Sequence, residues 1–219
     1  MTKQKTKLKT LMLAGAVSLG LTSAAWAQSA NVAPPVPSAE PTTGLLGQGY
    51  TSVAWKYVDF NSSLPSAGRG LSVAYNQPLR TGLDLNVNYD WTRASALGTH
   101  VSEHLLDGGV TAYQTFSWGR PFVDVGAGWV WDRAPGYGDD SFAFRFGTGV
   151  EFSVAPRLSV TPFVEFRRAV GYNASELDLG AKAAYRINRE WSAIAKAQYD
   201  AVRHGPDAAE YSLGVAYHF

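Results

Sequence analysis

His100-Val101-Ser102-Glu103-His104 matches the H-x-x-E-H arrangement, in which two imidazoles hold zinc and the carboxylate activates water. That chemistry needs a helix, because only a helical turn brings side chains four positions apart to one ion. The stretch lies between a strand-like segment ending in Trp91 and the Gly108-Gly109 pair, with little room for a helix and no third ligand. His100 and His104 are therefore weak metal candidates, and no metal site is expected. His204 with Asp207, and Asp139 with Asp140, fall in connecting segments on one side and could serve as the acid-base couple of a rim protease, although such loop groups are ordinarily just solvated. A lipid hydrolase needs serine and histidine together on a bilayer face, and His100 with Ser102 reads as loop. Gly136 to Asp140 offers calcium two adjacent acids and no further spaced ligand. No catalytic residue and no cofactor are assigned.

The larger population of charges follows a different rule. In Gly82 to Trp91 the odd positions Leu83, Leu85, Val87, Tyr89 and Trp91 are apolar, while the even ones carry Asp84, Asn86, Asn88 and Asp90. A period of two means a strand with one oily and one wet face. The pattern recurs through Val123 to Trp131 around Asp124, through Phe142 to Phe152 around Arg145 and Glu151, and onward past Glu165, Arg167, Asp178, Lys182, Arg186, Lys196, Asp200 and Glu210, with Lys56 in an earlier, less regular copy. Ten strands are expected, near 48–60, 67–77, 82–92, 104–116, 121–132, 141–153, 158–168, 175–187, 191–202 and 208–219, or eight if the fourth, which lacks a consistent parity, is loop. Tight connections (QPLRTG, SWGRP, VAPR, NRE) alternate with longer ones, the layout of a closed antiparallel up-and-down barrel. Pro162 falls mid-strand, where a bulge is expected.

Orientation follows from bulk. Trp91, Trp131, Phe142, Tyr185, Trp191, Tyr199, Tyr217 and Phe219 cannot all fit inside a small barrel, whereas aromatics near strand ends suit the girdles of a membrane-spanning one. The charges then line the lumen. Lys56, Arg145, Arg167, Lys182, Arg186 and Lys196 face Asp84, Asp90, Asp124, Glu151, Glu165, Asp178, Asp200 and Glu210, either as ion pairs that fill the space or as the lining of a narrow, slightly cation-preferring pore. Inward Gly126, Gly128, Gly147, Gly149, Gly180 and Gly214 read as open space for such a pore.

The N-terminal region sets the compartment. Lys3, Lys5, Lys7 and Lys9 precede an apolar run and an Ala25-Trp26-Ala27 site, as in a cleaved export signal spanning residues 1–27. Its removal takes four lysines away and moves the formal charge from +1 to −3, which gives no basic patch for nucleic acid. Residues 28–44 hold four prolines and read as a disordered periplasmic tether, able to touch peptidoglycan or an envelope protein, with residues 45–219 as the barrel. With no cysteine in the chain, disulfides contribute nothing.

The signal, the strand pattern and the ending Tyr211, Leu213, Val215, Tyr217, Phe219 resemble small bacterial outer-membrane β-barrel proteins of the opacity-protein-like, porin-like kind. The resemblance implies a location in the outer membrane, with membrane lipids as surroundings. It also implies that the terminal strand is the recognition signal for the barrel-assembly machinery. The implied role is structural or permeability-related, with a rim hydrolase or a loop-mediated adhesin as rivals.

Overall fold

The computed structural model describes residues 43–62, 67–96, 99–172, 174–203 and 205–219. The export signal and all of the tether up to residue 42 lie outside these residues, as does His204. The described chain forms ten strands: β1 (Tyr50–Phe60), β2 (Ala67–Arg80), β3 (Leu83–Ala96), β4 (Thr99–Tyr113), β5 (Arg120–Ala134), β6 (Tyr137–Ala155), β7 (Leu158–Ala169), β8 (Ala174–Arg186), β9 (Trp191–Arg203) and β10 (Ala208–His218). Each pairs antiparallel with its sequence neighbours, and β1 pairs with β10 from Tyr50↔His218 to Phe60↔Ala208, so the sheet closes and has no edge.

Closure explains why an alternating sequence is stable here. Every strand gains ladder partners on both sides, and the two faces of the sheet become an outside and an inside. The outside is apolar: Trp55, Tyr57, Val73, Val125, Trp129, Phe146, Leu179, Tyr185, Tyr211 and Leu213 are exposed, Leu213 to 69%. The inside is polar and packed: Lys56, Asp84, Asp124, Arg145, Glu151, Asp178, Asp200 and Glu210 are buried. A water-soluble fold has the opposite polarity, and an apolar belt of this extent needs lipid around it.

The loop end departs from expectation. β4 begins at Thr99 and ends at Tyr113, so residues 100–104 are strand and not loop. β5 and β6 run on to Ala134 and Tyr137, leaving Pro135 and Gly136 as the turn, with Gly136 at a φ of 75° that suits glycine. Asp139 and Asp140 thereby lie on strand β6, opposite Asp132 and Trp131 respectively. Their side chains leave opposite faces of the sheet, which removes the paired calcium ligand and the acidic loop pair. Polar, glycine-rich stretches were expected to be loops; here they extend the strands past the apolar belt, because ladder bonding continues wherever a neighbour is in register.

Pro162 causes no bulge. The β6–β7 register is the same at Gly149↔Phe163 and Phe152↔Val160, and the ladder drops the intervening pairs without inserting a residue. Pro162 still pairs opposite Ala181 on β8, so the missing donor is absorbed locally. Register shifts occur instead at Pro78/Arg80 and Ser153/Ala155, beside tight turns.

Candidate functional site in the barrel lumen

Strand parity aims the charged residues inward, and their lengths carry them across the lumen. Arg145 on β6 is central. Its Nε donates to Asp107 Oδ1 at 2.9 Å, its Nη1 pairs with Asp124 and lies 3.5 Å from Glu165 Oε2, and its Nη2 donates to Asn86. Asp124 also accepts from Thr111 Oγ1 (2.6 Å) and Asn86 Nδ2 (2.9 Å), and Asp107 accepts from Asn88 Nδ2 at 3.1 Å. One guanidinium is thus met by groups from four other strands at once. An ion set desolvated in this way is held where the remaining lone pairs are also bonded, as both carboxylate oxygens of Asp124 are.

A second set lies toward the loop end. Lys56 bridges Asp90 (3.1 Å) and Glu210 (2.9 Å), Lys196 reaches Glu210 at 2.6 Å, and Arg167 binds Glu165 at 2.7 Å and approaches Glu176 at 3.9 Å. Beyond it the inner wall is acidic. Glu103, Asp132 and Asp139 stand side by side on β4, β5 and β6, while Glu176, Asp178 and Asp200 bring one carboxylate oxygen each within 4.8 Å of one another. Asp178 is only 1% exposed, and its Oδ1 has no hydrogen-bond partner.

The third set closes the end where Thr43 and Phe219 lie. The segment before β1 folds into the lumen: the Leu45 amide donates to Glu151 Oε2 (2.7 Å), and the Gly47 amide donates to Asp84 Oδ2 (2.8 Å). Arg120, paired with Glu151, donates to the carbonyls of Leu46 (2.7 Å) and Thr43 (2.8 Å), and Arg186 lies 3.4 Å from the Gly44 carbonyl. Leu45 is buried with Ala184 and Ala216 against Tyr50 and Ile194. Gly44, with a φ of 126°, has no room for a side chain between Arg120 and Glu151. Thr43 and Gly44, which the sequence puts at the end of the tether, are therefore anchored within the barrel.

Every charge assigned inward from the sequence sits on the inner wall: Lys56, Asp84, Asp90, Asp124, Arg145, Glu151, Glu165, Arg167, Asp178, Lys182, Arg186, Lys196, Asp200 and Glu210. Sequence reasoning missed Arg120, Asp107, Glu103, Asp132 and Glu176. Asp107 and Glu103 were hidden by the irregular parity of β4, and the others by their positions at strand ends. Apart from Gly147, which lines the remaining cavity, the inward glycines are not empty space. A Cβ at Gly126 would lie 2.9 Å from Arg145 Nε, one at Gly149 would lie 2.8 Å from the Phe122 ring, and one at Gly180 would lie 2.8 Å from Phe163. Bulky lumen residues fill those notches. What remains is a cavity of about 250 Å3 between Leu45 and Lys196.

The outer wall also carries the residues of the zinc and lipid-hydrolase readings. His100 and His104 both face outward on β4, four positions and so roughly 13 Å apart, too far to share an ion. Glu103 points to the opposite face. His104 Nδ1 bonds the Tyr89 hydroxyl (2.9 Å) and its ring stacks on Trp131, while His100 Nδ1 bonds Ser95 Oγ at 2.7 Å. Ser102 shares this face, a correction to its loop placement, but stands about 7 Å from either histidine along the strand, beyond hydrogen-bond reach. Asp207 has both carboxylate oxygens engaged, by the Tyr199 hydroxyl (2.7 Å) and the Val202 amide (3.0 Å). The terminal-strand residues Tyr211, Leu213, Val215, Tyr217 and Phe219 are all exposed on the outer wall.

The sequence matches no protein-family model and no curated protein. Among solved structures, an outer membrane channel from Pseudomonas putida F1 matches at 11% identity and a TM-score of 0.50, over 83% of this chain and 100% of that one. Neisserial surface protein A matches at 14% identity and a TM-score of 0.44, over 78% of this chain and 96% of that one. The attachment invasion locus protein of Yersinia pestis matches at 12% identity and a TM-score of 0.37, over 78% and 99%. The first of these likenesses speaks to fold alone. By fold the chain is a closed ten-stranded antiparallel β-barrel, and its apolar outer wall and ionic lumen fit the membrane-spanning kind.

Proposed function

We propose that the protein is a structural barrel of the bacterial outer membrane whose lumen is held shut to solutes by its own side chains. The observation that carries this reading is Arg145, bound to Asp107, Asp124 and Asn86 with Glu165 within reach, across the middle of the lumen. To open a water path there, a buried cation would have to leave at least two carboxylates unpaired, at a cost of about 3–5 kcal/mol. The Thr43–Gly47 segment closes a second level, supported by Glu151, Arg120 and Asp84. Planar-bilayer recording of the refolded mature chain tests this. The wild type is expected to be silent or nearly so, and deletion of residues 28–48 combined with Arg145→Ala is expected to produce discrete steps. Large, steady steps from the wild type would sink the reading.

A narrow cation-preferring pore is the second reading, and the acidic mouth formed by Glu103, Asp132, Asp139, Glu176, Asp178 and Asp200 favours it. The fold neighbour from Pseudomonas putida is itself an outer membrane channel. Under this reading, small wild-type steps would show cation selectivity that falls when Asp124 or Asp84 is neutralised. Biogenesis fits either reading: the exposed aromatic row of β10 would be presented to the assembly machinery, and the chain ahead of Thr43 would reach the cell wall.

A further inference from the structure

Outward-facing strand positions are almost wholly apolar, and the arginines that break this rule are not scattered. Arg69, Arg93, Arg133, Arg168 and Arg203 are all exposed, and all lie at the end opposite Thr43 and Phe219. Strand register sets them in rows. Arg69 on β2 is the direct partner of Arg93 on β3, which is the partner of Ser102 on β4, which is the partner of Arg133 on β5. On the far side of the barrel, Ser175 on β8 stands between Arg168 on β7 and Arg203 on β9.

Like charges placed directly opposite each other across two strands destabilise a sheet. Among the described residues none of these five arginines is in a salt bridge, although carboxylates are plentiful on the inner wall. Arg133 donates to the carbonyls of Asp132 and Asp139 only along one edge of its guanidinium. Of the acids on this outer region, Asp59 on β1 and Asp140 on β6 flank the first row and do not enter it, and Asp207, near Arg203, is engaged by the Tyr199 hydroxyl and the Val202 amide; Asp140 accepts from the Trp129 indole at 2.9 Å. One step below the row, at the edge of the apolar belt, come Trp55, Leu71, Trp91, His104 and Trp131 in register. Aromatic rings of this kind sit at the level of lipid headgroups. The unpaired guanidiniums therefore stand at headgroup height, where their planar forks match phosphate oxygens.

From this register we infer that Arg69, Arg93, Ser102 and Arg133 form a binding site for the phosphate groups of anionic lipid in the leaflet around the loop end, with Arg168, Ser175 and Arg203 as a second, smaller one. The inference rests on the barrel standing in a bilayer and is independent of whether the lumen conducts. It commits to membrane lipid as the source of the phosphate, since the aromatic belt beneath the row fits acyl chains and not a free ion.

The test is native mass spectrometry of the refolded mature chain in detergent, with bisphosphorylated lipid A as probe and its dephosphorylated form in parallel. The wild type is expected to retain the phosphorylated lipid about tenfold or more over the dephosphorylated one, since removal of the phosphates takes away the charge-assisted contacts of the guanidiniums. Arg69→Gln/Arg93→Gln/Arg133→Gln is expected to lose most of this preference, and Arg80→Gln at the opposite end to keep it. Equal retention of the two lipids by the wild type, which requires no variant to fold, overturns the proposal. So does a folded triple variant that behaves as wild type. Displacement of the lipid by millimolar inorganic phosphate would overturn the commitment to lipid and leave a simple anion site.

Discussion

Arg145 illustrates how much a single lumen residue carries. Truncation to alanine leaves Asp107 and Asp124 buried without a cation, so Arg145→Ala is expected to lower stability by about 3–5 kcal/mol, read as a reduced urea midpoint of the barrel refolded in lipid. A variant within about 0.5 kcal/mol of wild type would mean that the network is wetter than the geometry indicates. Asp178 points the other way. It is buried, its Oδ1 is unpartnered, and it lies among Glu176 and Asp200, so Asp178→Asn is expected to stabilise the barrel by about 1–3 kcal/mol. Asp207 lies in the loop before β10, and the Tyr199 hydroxyl and Val202 amide hold its carboxyl below the ordinary value of 3.8. Because the folded value is depressed, this contribution to loop order is present above the ordinary carboxylate range and is lost as pH falls through the folded value. Hydrogen exchange at Val202 should therefore quicken on acidification in the wild type and be pH-insensitive, beyond the intrinsic trend, in Asp207→Asn.

At the scale of elements, the strands were legible because period-two alternation is imposed by two solvents, and β3, β5 and β6 have hardly an exception in their central parts. The limits of β4 were not. Its Gly108-Gly109 pair and its outward His100, Ser102 and His104 break the apolar parity, and only pairing with Trp91 and Trp131 shows which way they face. The short loop end was equally hidden, since Asp139 and Asp140 read as a turn until their partners Asp132 and Trp131 are known. The lumen charges were readable one at a time from parity, but their bonding was not, because it depends on barrel shear and side-chain reach. The clearest element-level consequence is the Thr43–Gly47 insert. Gly44→Val must displace Arg120 or Glu151, and it is expected to release the segment, seen as new protease cleavage near residue 44 with the remaining barrel intact. Unchanged resistance would mean that the segment is held by something other than these two side chains.

For the whole molecule, everything follows from which face of the closed sheet meets lipid. The outward residues would carry an apolar surface into water if the barrel were soluble, and the inward charges would be stranded in hydrocarbon if the wall were reversed. Site-directed spin labels at neighbouring positions resolve this directly, by comparing collision with oxygen, which partitions into lipid, and with a water-soluble nickel chelate. Labels at Phe146, Leu179 and Leu213 in the refolded, bilayer-inserted barrel are expected to report lipid. Labels at Gly147 and Ser212, one residue away from Phe146 and Leu213, are expected to report neither lipid nor free water. The same accessibility at both sets, or lipid contact at the second set, would contradict the account.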